Sequence, residues 1–403
     1  MQALDDVKVL DLSRFMAGPG AVQLLADFGA EVVKVERPER GDDQRWNGIV
    51  FLDGGKSRES SYYLAVNRNK RSVTVDLSKP AGQDLVRRLA TKSDVVVENY
   101  RVGTLARYGL DYATLKALNP RLIYCSVTGY GQEGPYADRA GYDPIFQAQS
   151  GMMSVTGIPD GAPGAGPMKM GVNIVDWSAG VNAAFGIMVA LHERARSGEG
   201  QYLDVALLDC AMAGMAGSLM PYFMSGYVQG RAGNYVLSGG PTGTFPCADG
   251  HIMLSVGTDE QFRKLCEVLG DAAMADDPRF TTLALRGQNH AALYPKMEVL
   301  SRRHSSRALV RALAEAGVPA GEVNNVAEAL EDPQVKARGI AAPLPHPLQA
   351  DLRTVANPAR LSRTPPEYRR APPMLGQHTD EVLKEWLGLE GEALLALRRE
   401  QVI

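Results

Sequence analysis

The chain has 403 residues, 45% hydrophobic and 22% charged, enough to bury the cores of two or three domains and too apolar for a disordered polypeptide. A net charge of −3 gives no bulk attraction to nucleic acid or an anionic membrane, so neither is expected as a partner, and an anionic ligand needs a local cluster of basic residues. The four cysteines, Cys125, Cys210, Cys247 and Cys266, lack the spacing of a zinc site or a disulfide framework and read as small core residues in a reducing compartment.

The opening MQALDDVKVLDL has no basic n-region or long apolar stretch. Apolar runs such as Val181 to Leu191, interrupted by Asn182, fall short of the roughly 20 residues of a membrane span, so a cytoplasmic protein is expected. VKVLDL (7–12) predicts a buried strand, AGPG (17–20) a turn with Pro19 at a helix start, AVQLLADFGA a helix, and EVVKVE, ending at Glu36, a second strand. The pattern repeats in SVTVDL (72–77), a helix opened by Pro80, DVVVEN (94–99), a helical segment around Leu115 and LIYCSVTGY (122–130). Strands alternating with helices of this length imply parallel crossovers and an open sheet covered on both faces.

Beyond that strand, IPDGAPGAGPMKMG (158–171) is a long Gly/Pro-rich loop of the kind that is functional or disordered. A long helix from about Asp176 to Arg196, the strand QYLDVAL and a helix over 208–225 follow. After SGGPTG (238–243), FPCADGHIMLSV predicts two strands joined by a turn at Asp249-Gly250, and residues 259–331 are mainly helical, with one helix ending at Gly317. The stretch 364–373 is Pro-rich, and the last helical region begins at Thr379-Asp380. The expectation is an α/β fold: a large Rossmann-like domain with an open parallel sheet over 1–205, completed by 350–403, a smaller α+β domain over 226–330, and linkers at 206–225 and 331–349.

Gly18, Gly20 and Glu36 loosely imitate a dinucleotide fingerprint, but Pro19 separates the glycines and Val22 replaces the third; an NAD-dependent oxidoreductase stays as an alternative. Arg37 places a fixed cation at the C-terminal edge of the sheet, and Lys70, Arg71 and Arg107 recur near strand ends, together suiting a ligand with several phosphates. His192, His251 and His304 are poorly placed for catalysis, and no GxSxG, P-loop or HExxH is present, so a carboxylate is the better candidate nucleophile. Asp176 follows the apolar approach MKMGVNIV at the expected start of the long helix. An aspartate there is equally an ordinary helix cap, and spacing leaves the two roles open.

The segments VLDLSRFMAGPGAVQLLADFGAEVVKVERPERGD, VNRNKRSVTVDL, DVVVENYRVGTLARYGLDY, YCSVTGYGQEGPYADRAGYD and PPMLGQHTDEVLKEWLGL, spread over nearly the whole chain, resemble the class III CoA-transferases. The resemblance implies that Asp176, in GVNIVDWSAG, attacks an acyl-CoA thioester, passing through an aspartyl anhydride and an aspartyl-CoA thioester. It implies CoA contacts at Met16, Arg37, Val75, Asn99 and Arg107, with Ser78 where some relatives carry a lysine and Lys79 beside it. Tyr142 and Asp143 match a Tyr-acid pair near the active site, and Gly239 and Gly240 match a glycine loop over it. No permanently bound cofactor is implied; a CoA thioester is the substrate, a small carboxylic acid its partner, and the enzyme an interlocked homodimer.

α-Methylacyl-CoA racemases share the fold but carry His where this chain has Tyr142, and a phenol of pKa about 10 is a poor base, so transferase is preferred and racemase is the alternative. VNRNK and YGQEGPYADRAGYD look most like the succinyl-CoA-dependent dicarboxylate branch, acting on acids such as glutarate or itaconate. A far carboxylate on such a substrate needs a cation, which Arg139 or Arg45 would supply.

Overall fold

The computed structural model describes residues 2–236 and 239–403, so Ser238, the first residue of the SGGPTG stretch, lies outside the described residues. The chain divides into two compact units: residues 1–152, 169–227 and 338–403 in one, and 153–168 and 228–337 in the other. The large unit is built on six parallel strands, β1 (Lys8–Asp11), β2 (Glu31–Glu36), β3 (Lys70–Thr74), β4 (Val95–Glu98), β5 (Ile123–Thr128) and β6 (Tyr202–Ala206), in the order β3-β2-β1-β4-β5-β6. That order reverses direction between β1 and β4, which opens a crevice at their C-terminal ends.

Successive side chains of a strand point to opposite faces, and here both faces are apolar. Val9, Val95 and Val97 face helices α1 (Ala17–Asp27), α5 (Ile174–Ser197) and α6 (Leu207–Gly214). Leu10 and Val96 face α2 (Pro80–Ala90), α3 (Tyr112–Leu118) and the C-terminal helices α11 (Thr379–Leu387) and α12 (Glu392–Arg399). Helices α1 and α5 approach closely because Gly180 has no side chain: a Cβ there would come 2.9 Å from the Ala17 carbonyl oxygen.

Helix α5 is long and apolar enough to cross a membrane, contrary to the reading of its sequence as too short. Its buried residues, among them Val175, Ala179, Ala183 and Ile187, join the core beneath the sheet. The helix expected over 208–225, within the stretch also read as a linker, is present as two helices, α6 followed by α7 (Ala216–Ser225) at a bend of 71°. Nor is 331–349 a plain linker, since it holds a short helix at Pro333–Ala337 and a strand at Ala341–Pro343.

In the small unit β7 (Thr242–Pro246), β8 (His251–Ser255) and β9 (Ala320–Glu322) form an antiparallel sheet. The Asp249-Gly250 turn is closed by the Cys247 N–H donating to the Gly250 carbonyl at 2.8 Å. Strand β8 alternates exposed and buried residues, and its buried Ile252 and Leu254 pack with α8 (Asp259–Val268), α9 (His290–Ser301) and α10 (Ser306–Glu315). Gly317 takes φ +76° beyond α10, as a C-terminal capping glycine does. The Gly/Pro-rich loop is divided: 153–168 belongs to this unit and pairs Gly157–Ile158 with Gly166–Pro167, whereas 169–173 leads into α5.

Charges lie inside the large sheet. Lys70 donates to Asp11 at 2.9 Å, to the Pro19 carbonyl at 2.9 Å and to Asn67 at 3.0 Å, and Lys34 pairs with Asp42 at 2.9 Å. All four ionic side chains are fully buried. Arg71 pairs with Glu31, Glu381 and Glu385. Lys70 and Arg71 are therefore structural, and the expectation that they face a phosphate ligand is corrected. Removing one partner strands the other charge, so Lys70→Met should cost about 3–5 kcal/mol in urea unfolding, and Lys70→Met with Asp11→Leu should recover much of it.

Candidate active site

The loop after β1 lines the crevice, and its backbone is anchored twice. The Asn99 amide, just past β4, accepts from the Arg14 N–H at 2.8 Å and donates to the Arg14 carbonyl at 2.6 Å. Asp42 accepts from the Phe15 N–H at 3.1 Å, so the carboxylate that neutralises Lys34 also holds this loop. Between these anchors Phe15 sits at φ 65°, a left-handed conformation that costs a bulky residue about 1–2 kcal/mol. Its ring lies edge-on to Tyr142 with centroids 5.7 Å apart.

Three adjoining pockets follow the edge of the sheet. One of about 430 Å³ is lined by Asp176, Asn173, Tyr142, Asp143, Arg139, Met16 and Arg14. A second, of about 300 Å³, is lined by Arg14, Arg37 and Arg40 with Lys34, and a third, of about 460 Å³, by Arg37, Val75, Ser78 and Lys79. Arg14 and Tyr100 line the first two and Arg37 and Tyr100 the last two, which makes one groove with Asp176 at one end and arginines in its middle.

Asp176 is not a helix cap. Asn173 holds the N-cap position of α5, and Asp176 is the third helical residue. The cap comes from α4 (Asp143–Gln149), where the buried Asp143 accepts from the Val175 N–H at 2.7 Å and the Asp176 N–H at 3.0 Å. Its other oxygen accepts from Gln147 at 2.5 Å, and Gln147 in turn accepts from the Met170 N–H at 2.8 Å. The Asp176 side chain is thereby freed from capping and bonds only weakly to Asn173, at 3.4 Å. Burial, and then the Asp143 charge, push its carboxyl up to about 6 against the pull of Asn173. It is ionised at neutral pH yet more basic than an ordinary carboxylate, which makes it a better nucleophile.

The other expected residues divide. Tyr142 and Arg139 are exposed in the Asp176 pocket, Arg139 over the Tyr136 ring at 3.7 Å. Arg37 is exposed and Val75 buried in the third pocket's wall. Lys79 lines that pocket while donating to the Glu400 and Gln401 carbonyls at 2.5 and 3.1 Å. Arg107 lies exposed on the turn Ala106–Tyr108. Asn99 lines the Asp176 pocket, but its amide is committed to the Arg14 backbone. Gly239 and Gly240 belong to the small unit, where the Gly240 carbonyl accepts from Arg286 at 2.6 Å.

Arg45 is a correction. It is buried and bonded to Glu36 at 2.8 Å, Glu59 at 2.6 Å, the Tyr63 hydroxyl at 2.6 Å and the Pro373 carbonyl at 2.9 Å, leaving it no route to a substrate. Glu36 is equally occupied: burial would raise its carboxyl, but Arg45 holds it at about 2. It cannot present a free carboxylate to a nucleotide ribose, which removes the support for NAD. Sequence reasoning passed over Arg14, although it follows a strand end as Arg37 does, and gave Asp143 no capping role.

A family model described as CoA-transferase family III matches residues 4–379. The chain belongs to CoA-transferase family III. This CoA-transferase is 45% identical over 392 residues to the succinate–glutarate CoA-transferase of Agrobacterium fabrum, covering 97% of each chain. It is 39% identical to the succinyl-CoA–D-citramalate CoA-transferase of Chloroflexus aurantiacus, covering 99% of this chain and 98% of that one. Among solved structures it is similar to a CAIB/BAIF family protein from Brucella suis, with TM-score 0.88, 41% identity and coverage of 96% of this chain and 99% of that one.

The raised Asp176 carboxyl gives a pH dependence with a definite sign. Activity that needs the carboxylate should be full above about pH 7 and fall about tenfold per unit below about pH 6 in kcat/KM. Because its folded value exceeds the unfolded one, ionising Asp176 destabilises the fold as pH rises from about 4 to about 6. Asp176→Asn should therefore raise Tm at pH 8, by the equivalent of about 1 kcal/mol after allowing for solvent screening, and leave it unchanged at pH 4. Asp143→Asn, which removes the neighbouring charge, should move the acid limb of the rate profile to lower pH. Asp143→Ala should cost about 1–2 kcal/mol in thermal unfolding by orphaning two helix amides.

Proposed function

We propose that this CoA-transferase moves CoA from succinyl-CoA to a dicarboxylic acid such as glutarate or itaconate, with Asp176 as covalent nucleophile. The observation that carries the reading is a carboxylate freed from capping and raised to about 6, at the end of a groove whose middle is lined by arginines. The substrates named for the Agrobacterium and Chloroflexus relatives support the dicarboxylate class.

An Asp176 oxygen attacks the thioester carbonyl carbon and expels CoA thiolate, leaving an aspartyl-acyl anhydride. The thiolate attacks the aspartyl carbonyl, releasing the donor acid and forming an aspartyl-CoA thioester. The acceptor carboxylate attacks that thioester to give a second anhydride and thiolate, which attacks the acceptor's carbonyl and restores Asp176. No proton is transferred, consistent with a pocket lining that, among the described residues, contains Tyr142 and no histidine.

In the groove, Arg37 and Arg40 are suited to the CoA phosphates and Val75 to the adenine side, with Met16 beside the acyl end and Asn99 bordering the path; Arg107, exposed on its turn and outside the lining of these pockets, is kept as a CoA contact on the family resemblance alone. Asp143 acts through the helix as a positioning residue. Homodimerisation fits a row of exposed apolar side chains on α5, namely Trp177, Val181, Phe185, Met188 and Val189, with Tyr222, Phe223 and Met224 on α7. The enzyme is proposed to act in the cytoplasm without a permanently bound cofactor.

Incubation with succinyl-CoA should give a CoA adduct by intact mass, mapped to Asp176 and discharged by acceptor acid, and sedimentation at micromolar concentration should give a dimer. Asp176→Asn should lose at least about 1000-fold in exchange rate; full exchange by that variant would end the mechanism.

A further inference from the structure

A dicarboxylic acyl group brings its far carboxylate into a pocket that already holds Asp176 and Asp143. Two anions repel a third brought beside them, so a fixed cation is required. Three arginines line the pocket: Arg14, Arg101 and Arg139. Arg101 is exposed and donates to the Asp138 carbonyl at 3.0 Å, and Arg139 is exposed over the Tyr136 ring. Both belong to loops, and neither guanidinium is held by a carboxylate among the described residues.

Arg14 differs at every level. Its backbone is clamped from both sides by Asn99. Its guanidinium is pinned by Asp43 at 3.0 Å through Nη1 and lies 4.8 Å from the centre of the Tyr100 ring. Asp43 is shared with Arg40 at 3.6 Å, so the three groups together keep a net positive charge. The Nε of Arg14 is buried and has no hydrogen-bond partner among the described residues. A buried donor left unmade is costly, and a small turn of the part-exposed Arg14 side chain brings its Nε–H and Nη2–H edge to match the two oxygens of a carboxylate.

We infer that Arg14 binds the far carboxylate of the dicarboxylic acyl group and so sets the preference for dicarboxylates, a role that sequence reasoning gave to Arg139 or Arg45. The inference rests on Asp176 as the covalent nucleophile of the proposed transferase. Because Arg14 also borders the arginine-lined pocket, its rival duty is to the CoA phosphates, and the two duties separate experimentally.

Arg14→Gln should lower kcat/KM for a glutarate-class acceptor by about 10- to 100-fold while the Kd for free CoA stays within about twofold. Arg14→Lys, which keeps a point charge without the fork, should recover only part of the loss. Matching wild-type Tm for both variants separates a binding effect from misfolding. An unchanged kcat/KM for the dicarboxylate, or a weakened Kd for CoA in proportion, overturns the assignment while leaving the Asp176 mechanism standing. A wild-type enzyme that transfers CoA to no acid removes the parent reading and Arg14's role with it.

Discussion

One carboxylate, that of Asp143, takes the first amides of the long helix, and much of the site follows from that bond. Helix starts leave several N–H groups without partners, and an anion there is doubly favoured, by hydrogen bonding and by the helix dipole. Because the cap comes from another element, the third helical residue is released for chemistry. The same bond ties α4 to α5 and, through Gln147 and Met170, to the segment leading into the helix. It also places a negative charge beside Asp176, opposing the helix dipole that would otherwise hold that carboxyl low. Had Asp176 capped its own helix, the result would have been the reverse: a weakly basic carboxylate already engaged with that helix.

The opposite wall of the crevice is set by charges inside the sheet. Buried ion pairs add little net stability, because desolvation cancels most of their attraction, but they are intolerant of alternatives. Lys34 donates to the Ser13 carbonyl at 2.7 Å and pairs with Asp42, which receives the Phe15 amide; Asp11 receives the Ser13 amide at 2.9 Å and pairs with Lys70. Lys34, Asp42 and Asp11 thus each fix a backbone group of the loop at residues 13–15, and Lys70 fixes the Pro19 carbonyl just beyond it. The strain at Phe15 is sustained by this lattice, and Arg14 inherits its fixed direction from it.

The sheet was legible in the sequence because runs such as EVVKVE and DVVVEN are apolar on both faces, the mark of strands buried between helix layers. The charges within those strands were misread for the same physical reason that they matter. A lysine in a sequence reads as surface unless its partner is visible, and Lys70 lies 59 residues from Asp11. Likewise 33 residues separate Asp143 from the amide of Asp176, so a cap between them left no local pattern, and Asp143 followed by proline reads as the start of its own helix. The position of Asp176 came from the family resemblance rather than from spacing. The helical character of 208–225 is legible in its apolar run, but its break into two helices at Met215 has no proline at that position to announce it.

The basicity of Asp176 has a bearing on where CoA comes to rest. In a mixed anhydride two carboxylates compete as leaving groups, and the less basic one departs more readily. A substrate acid with an ordinary value of about 4.3 is less basic than a carboxyl held at about 6. In the proposed mechanism thiolate attack is therefore biased toward the aspartyl carbonyl, expelling the small acid and retaining CoA on the protein. On that proposal, the burial that raises Asp176 serves both halves of the exchange: it makes the carboxylate a stronger attacking group and directs the returning thiolate to the protein's own carbonyl rather than the donor's.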